Sequence, residues 1–265
     1  MREGGAIGLR VVVLGSGSTG NCTLVEGDRG RLLIDCGLSA REAGRRLQLL
    51  GWEPRSVDAL LVSHEHSDHV GGARQFSRRF NVPIHTTAAT ARAAGIAAGD
   101  VFGLVEFEPG IAFDVQDLAV RPFSVPHDAV DNVGVIVECA GSRMGYATDL
   151  GHASTLAVTR LKECDVLVAE ANHDVAMLRN GPYPWSVKQR ILGRHGHLSN
   201  DEMAALVSEA AAPRTRHVFL AHMSATNNRP DLAVQACRQA LDAAGVQQAR
   251  IHVTSQSRPS EVVEA

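Results

Sequence analysis

Between the apolar run Ala59-Leu60-Leu61-Val62 and the pair Gly71-Gly72, the chain packs Ser63-His64-Glu65-His66-Ser67-Asp68-His69. Three imidazoles and two carboxylates within six residues, placed at the end of a buried-looking strand, are too many polar groups to desolvate without a strong common partner. A metal centre satisfies them. His64 and His66 stand two apart, so on an extended segment both point to one side and can grip a single ion. Asp68 and His69 then fall on the turn into the next helix, placed for a second ion. A solvated, pH-sensitive loop is the ordinary reading of one isolated histidine, but it does not account for so dense a set.

A two-metal site needs more donors than one loop supplies, and three candidates follow other strand-like runs. His127, in Pro126-His127-Asp128, comes after Leu118 to Val125. Asp149 ends Arg143 to Thr148, and His222 ends His217 to Ala221. Each sits where α/β folds gather functional groups, at the C-terminal end of a predicted strand. The remaining β-branched runs are Arg10 to Leu14, Cys22 to Glu26, Arg31 to Asp35, Ala59 to Val62, Gly134 to Cys139, Asp165 to Ala169 and Ile251 to Thr254. Gly27 to Gly30 and Gly141-Ser142 read as hairpin turns. Helical spacing covers Ala40 to Leu50, with Ser39 as N-cap, Gly71 to Phe80, Ala153 to Lys162, Trp185 to Leu192, Asp201 to Ala211 and Leu232 to Ala243. Early hairpins followed by strands alternating with helices suggest two packed sheets with helices outside, although other α/β layerings fit the same pattern.

Composition narrows the classes. No repeat or linker marks a boundary, so residues 1–265 read as a single domain. No apolar run approaches the roughly 20 residues of a membrane span, and Met1 to Gly5 lack the apolar stretch of a secretory signal, which points to the cytoplasm with no membrane partner. Cys22, Cys36, Cys139, Cys164 and Cys237 are scattered singly and read as buried thiols. A net charge of -3 gives no global pull on nucleic acid, so such a partner must be held by local charge.

The chain resembles the metallo-β-lactamase-fold hydrolases, and within them the YycJ/WalJ-type proteins. The matching segments are Gly15 to Asn21, Ile34-Asp35-Cys36-Gly37, the histidine motif, His127-Asp128, Thr148-Asp149, Glu170 to Asp174, Gly196 to Asn200 and Leu220 to Ser224. The resemblance implies an αββα four-layer sandwich, two central β-sheets flanked by helices, with two divalent ions at one edge. Carried over, His64, His66 and His127 would hold one ion, Asp68, His69 and His222 the other, with Asp149 bridging. Two divalent ions against two carboxylates leave about two positive charges, suited to an anionic substrate and a metal-bridging hydroxide. Mixed imidazole and carboxylate donors suit zinc; manganese or iron can use the same set.

For a phosphodiester the leaving alkoxide needs a proton. Glu170 and His197 are candidates to supply it, the carboxylate orienting the imidazole; similar pairs occur in RNase Z and β-CASP nucleases. The resemblance implies a dinuclear phosphodiesterase, a 5′-to-3′ exonuclease on DNA, with Asp68, Glu170 and His197 catalytic. The alternatives are a glyoxalase-type thioester or small-ester hydrolase, and a non-catalytic binding protein stabilised by its metals. Residues 150–196 are too few for the β-CASP clamp domain. Basic rows at Arg41, Arg45 and Arg46, at Arg74, Arg78 and Arg79, and at Lys188, Arg190 and Arg194 offer phosphate contacts, and solvated helix faces explain the first two equally well. Tyr183 and Trp185 are candidate stacking platforms, though Trp185 fits a core position better. Asp35 reads as either a support for a ligand histidine or a turn carboxylate.

Overall fold

Valines of a two-sided strand sort by parity, and β1 (Arg10–Gly15) shows it: Val11 and Val13 enter the core between two sheets, while Val12 and Leu14 enter a core under helices. The computed structural model describes residues 8–265, so Met1 to Gly5, read above for a leader, lie outside the described residues. After β1 come β2 (Cys22–Glu26), β3 (Arg31–Ile34), β4 (Ala59–Leu61), β5 (Ile84–Thr86) and β6 (Leu104–Glu106). The second sheet is built from β7 (Phe113–Val115), β8 (Leu118–Ser124), β9 (Val133–Cys139), β10 (Ser142–Ala147), β11 (Val166–Glu170), β12 (His217–Ala221) and β13 (Arg250–Val253). The closing strand β14 (Val263–Glu264) returns to pair with β1, giving two seven-stranded sheets.

Both sheets follow one plan. β1 to β3 are antiparallel and β3 to β6 parallel; β7 to β10 are antiparallel and β10 to β13 parallel. The helices, in chain order, are α1 (Ala40–Leu49), α2 (Ser67–Val70), α3 (Ala73–Phe80), α4 (Ala88–Ala93), α5 (Thr155–Leu161), α6 (Val175–Asn180), α7 (Trp185–Ile191), α8 (Asn200–Ala210) and α9 (Pro230–Ala243). Ala43 and Leu47 of α1 and Phe76 of α3 cover the outer face of the first sheet. Leu161 of α5, Leu206 of α8 and Leu241 of α9 cover the second. Between the sheets lie Val25, Leu32, Val135, Tyr146, Val168 and Phe219. The layers are therefore αββα.

Several expectations shift in detail. The β9–β10 turn is Ala140-Gly141, one residue earlier than read, because Cys139 pairs with Ser142 and both turn residues have positive φ, 48° and 83°; a two-residue primed turn requires that. The helix read from Gly71 begins at Ala73 as α3, and a separate short helix, α2, precedes it, the two parted at Gly71-Gly72. All five cysteines are buried and unpaired. No helix among the described residues is long and apolar enough to cross a membrane.

Candidate metal centre

The C-terminal ends of strands from both sheets meet at one edge of the sandwich. β4 delivers the histidine motif, β8 leads into His127, β10 into Asp149, β11 ends on Glu170 and β12 leads into His222. Asp35, Asp149 and His222, each directly after or within two residues of a strand end, take left-handed φ of 60°, 59° and 53°. That region is costly for residues with a Cβ and persists only where surrounding structure imposes it. Here it turns three polar side chains back into the site.

The donor atoms converge. His64, His66 and His127 offer ring nitrogens within 4.8 Å of one another, and so do nitrogens of His69 and His222 with a carboxylate oxygen of Asp68. Asp149 lies between the two sets: its carboxylate is 3.0 Å from His69 Nε2, 3.6 Å from His222 Nε2 and 3.7 Å from His127 Nε2.

The far nitrogen of each ring sets its tautomer. His69 Nδ1 donates to Asp35 Oδ2 at 2.8 Å, His127 Nδ1 to the Gly196 carbonyl at 3.0 Å, and His222 Nδ1 to Glu170 Oε1 at 3.2 Å. The Ser63 hydroxyl donates to Asp35 Oδ2 at 3.0 Å, so it accepts from His64 Nδ1, also at 3.0 Å. All four rings thus turn an Nε2 lone pair inward, the form that binds metal. Nε2 of His64 and His127 and Oδ2 of Asp149 are buried with no hydrogen-bond partner. Orphaned buried acceptors are rare because each carries its full desolvation cost. Lone pairs and carboxylate oxygens this close repel unless a cation lies among them, so the donor set fits divalent metal ions.

Titration tells the same story. Burial opposes the charged form of His69, yet Asp149 and Asp35 hold its pKa up at about 10. Burial likewise opposes a charged His222, and Asp149 and Asp68 outweigh it. Asp149, despite burial, is kept well below the usual carboxylate range by His222 and His69. His64 and His127 move the other way, pushed down first by burial, and stay neutral. The pattern is a well of negative potential around Asp149 that draws a positive charge, a proton on His69 and His222 or a cation in its place, beside the neutral His64 and His127.

Beside this cluster stand Glu170 and His197. Glu170 is fully buried. Its Oε1 accepts from His197 Nδ1 at 2.8 Å, and its Oε2 from the backbone N–H groups of Leu150 and Leu198. Burial raises its pKa, but His197 and His222 hold it at about 2. Glu170 therefore stays anionic and reaches no substrate itself. Burial opposes a charged His197, and Glu170 reverses that, raising its pKa. The His197 ring stacks on His222 with centroids 5.2 Å apart, and it lines a cleft of about 330 Å³ with His66, Asp68, Asp149, His222, Tyr183 and Arg190. A larger hollow of about 460 Å³ at Arg10, Glu26, Arg31 and Trp52 has its walls tied together by the Arg10–Glu26 and Arg31–Glu26 ion pairs, and carries no donor cluster.

Three sequence readings need correction. Lys188 is buried, its ammonium donating to the carbonyls of Arg179 and Gly181, and cannot meet a phosphate. Arg46 is also buried, bonded to Leu14 O and Gln256 O. Trp185, expected in the core, is 63% exposed. Helical spacing reports which residues share a face, not which face is buried. Asp35 resolves as a histidine support. Asn21, unread as a site residue, places Nδ2 3.0 Å from His69 Nε2, and its Oδ1 accepts from Ser16 Oγ. Tyr146, whose hydroxyl donates to Asp35, was also unseen, whereas Asn172, readable as a support for the site, does donate to the His222 carbonyl. Only the Gly15 to Asn21 segment carried a signal, its unusual density of small polar residues.

Comparison with known proteins agrees with the architecture. A family model described as a beta-lactamase superfamily domain matches residues 30–223. Exodeoxyribonuclease YycJ of Bacillus anthracis is 33% identical over 262 residues, 97% of this chain and 99% of that protein. Exodeoxyribonuclease WalJ of Streptococcus pneumoniae is 34% identical over 233 residues, 86% of each. The crystal structure of the metallo-beta-lactamase fold protein YhfI from Bacillus subtilis superposes with a TM-score of 0.74 over 97% of this chain and all of that one, at 15% identity, a likeness of fold alone.

Proposed function

Because the chain belongs to the beta-lactamase superfamily, as a metallo-β-lactamase-fold hydrolase most similar to the YycJ and WalJ proteins, we propose that it hydrolyses DNA phosphodiester bonds from the 5′ end. The observation that carries this is the 2.8 Å Glu170–His197 pair opening onto the cleft beside the donor cluster. A thioester leaving group is weakly basic and needs no proton; a nucleoside alkoxide does.

In this reading His64, His66 and His127 would hold one cation, Asp68, His69 and His222 a second, and Asp149 would be shared between them. When bound, the cations, zinc or manganese by the donor chemistry, acidify a water into a nucleophile near neutral pH and offset phosphate charge. The chain does the rest. Asp68, partly exposed at the cleft, accepts a hydrogen bond that orients the attacking water. The Glu170 carboxylate keeps His197 protonated and fixes its Nδ1, so that Nε2 faces the cleft and gives its proton to the leaving oxygen. Arg190 faces the incoming phosphate.

The test is a panel of end-labelled DNA and RNA, S-lactoylglutathione and a β-lactam, run with zinc, manganese and magnesium. Mononucleotide release from the DNA 5′ end is expected; turnover confined to the thioester overturns the proposal. Asp149→Ala should lose at least one ion per chain by elemental analysis, and full occupancy in that variant would defeat its shared role.

A further inference from the structure

β3, β4 and β5 run parallel, so their C-terminal ends share the edge that carries the donor cluster, and α1, α3 and α4 follow those ends. The three helices form one face. A Cβ on Gly72, at the head of α3, would stand 3.0 Å from the Ala40 nitrogen that opens α1, and one on Gly44 of α1 would stand 2.8 Å from the Phe80 ring that ends α3. Arg74 of α3 reaches across to the Gly95 carbonyl just past α4.

This face exposes Arg41, Arg45, Arg74, Arg78, Arg79 and Arg92. The one carboxylate in α1, α3 and α4 is Glu42, which already accepts from Arg45 and the buried Arg46. Arg41, Arg78 and Arg92 make no side-chain hydrogen bond or ion pair among the described residues. The helices over the other sheet have the opposite sign: α5, α8 and α9 carry five carboxylates and two arginines. In a chain of net charge -3, positive charge is thus gathered on one flank. A merely solvated helix face mixes signs, because like charges four residues apart, as in Arg74 and Arg78, repel.

Resting on the nuclease reading, we infer that this arginine face is a docking track for the phosphate backbone of the DNA whose end occupies the cleft. α2 joins the two. Its Ser67 and Asp68 line the cleft, and only Gly71 and Gly72 separate it from α3. DNA leaving the cleft past α2 meets Arg74 and Arg41 first, then Arg78 and Arg45 one turn on. Such contacts hold phosphates, position the substrate without reading its sequence, and release condensed counterions. Membrane-seeking helices set large apolar residues among their cations, whereas the exposed residue between Arg74 and Arg78 is Gln75.

The metal-loaded full chain is compared with the triple variant Arg41→Gln/Arg78→Gln/Arg92→Gln and with Arg160→Gln on the far flank. Each is given a 5′-phosphorylated dinucleotide, 5′-labelled DNA of increasing length and bis-p-nitrophenyl phosphate across a salt series. In the parent, KM should fall as the DNA lengthens. The triple variant should raise KM for long DNA roughly tenfold and take about 2 to 3 off the slope of log KM against log salt, the mark of three lost phosphate contacts. Its kcat, and its turnover of the dinucleotide and of bis-p-nitrophenyl phosphate, should match the parent. Arg160→Gln should change nothing. Metal content and melting temperature confirm that each variant is folded. A parent KM indifferent to DNA length, or an unchanged salt slope in the triple variant, overturns this inference alone. So does co-sedimentation with phosphatidylglycerol vesicles that the triple substitution abolishes while KM for DNA holds, which would give the face to a membrane. Absence of turnover on DNA of every length overturns the function beneath it.

Discussion

Asp35 touches none of the cluster's open coordination space, yet it accepts hydrogen bonds from His69 Nδ1, the Ser63 N–H and hydroxyl, and the Tyr146 hydroxyl, all at 2.8–3.0 Å and fully buried. Removing it strands those donors away from water. Asp35→Ala should cost about 3 kcal/mol or more in denaturant unfolding and weaken metal affinity about 10–100-fold in competition with a chelator. His197 makes a different prediction, because its proposed work depends on the leaving group. His197→Gln should lower kcat on DNA about 10²–10⁴-fold, with a far smaller loss on bis-p-nitrophenyl phosphate, whose nitrophenolate leaves without a proton. Equal losses on both substrates would remove His197 as the proton donor.

The short helix α2 carries Asp68 and His69, and its seat is the turn after β3. A Cβ on Gly37 would lie 1.7 Å from the Asp68 carbonyl oxygen, which also accepts the Asn21 N–H at 2.7 Å. Gly37→Ala should therefore displace α2, lowering the melting temperature on the order of 10 °C and releasing metal seen by elemental analysis. Elements with several alternating positions were legible from sequence: β1, β8 and α9 fall close to where their patterns place them. β5, β6, β7 and β14 went unread because two or three residues are too few to show a period. α6 is six residues with one buried position, Leu178, and gives no stripe. Lys188 misled because its place just before His197 says nothing of where its side chain turns, and the ammonium turns inward to backbone carbonyls.

Across the whole molecule, His64, His66, Asp68 and His69 come from the first sheet, while His127, Asp149 and His222 come from the second. The contiguous motif was readable at once, and the distant donors were readable by their places after strands. What sequence could not supply was the support from Asn21 and Tyr146, ordinary residues made relevant by the docking of one sheet on the other. Because bound cations would join the two sheets, chelation should lower the melting temperature by on the order of 5–10 °C at metal concentrations well above Kd, measured by a thermal scan with and without EDTA. The repeated plan of the two sheets has its own consequence. In the proposed ligand assignment neither half owns a full coordination set, so a bound ion would act as a stitch across the seam, and its departure would first let the halves breathe against each other while each kept its own hydrogen-bonded weave.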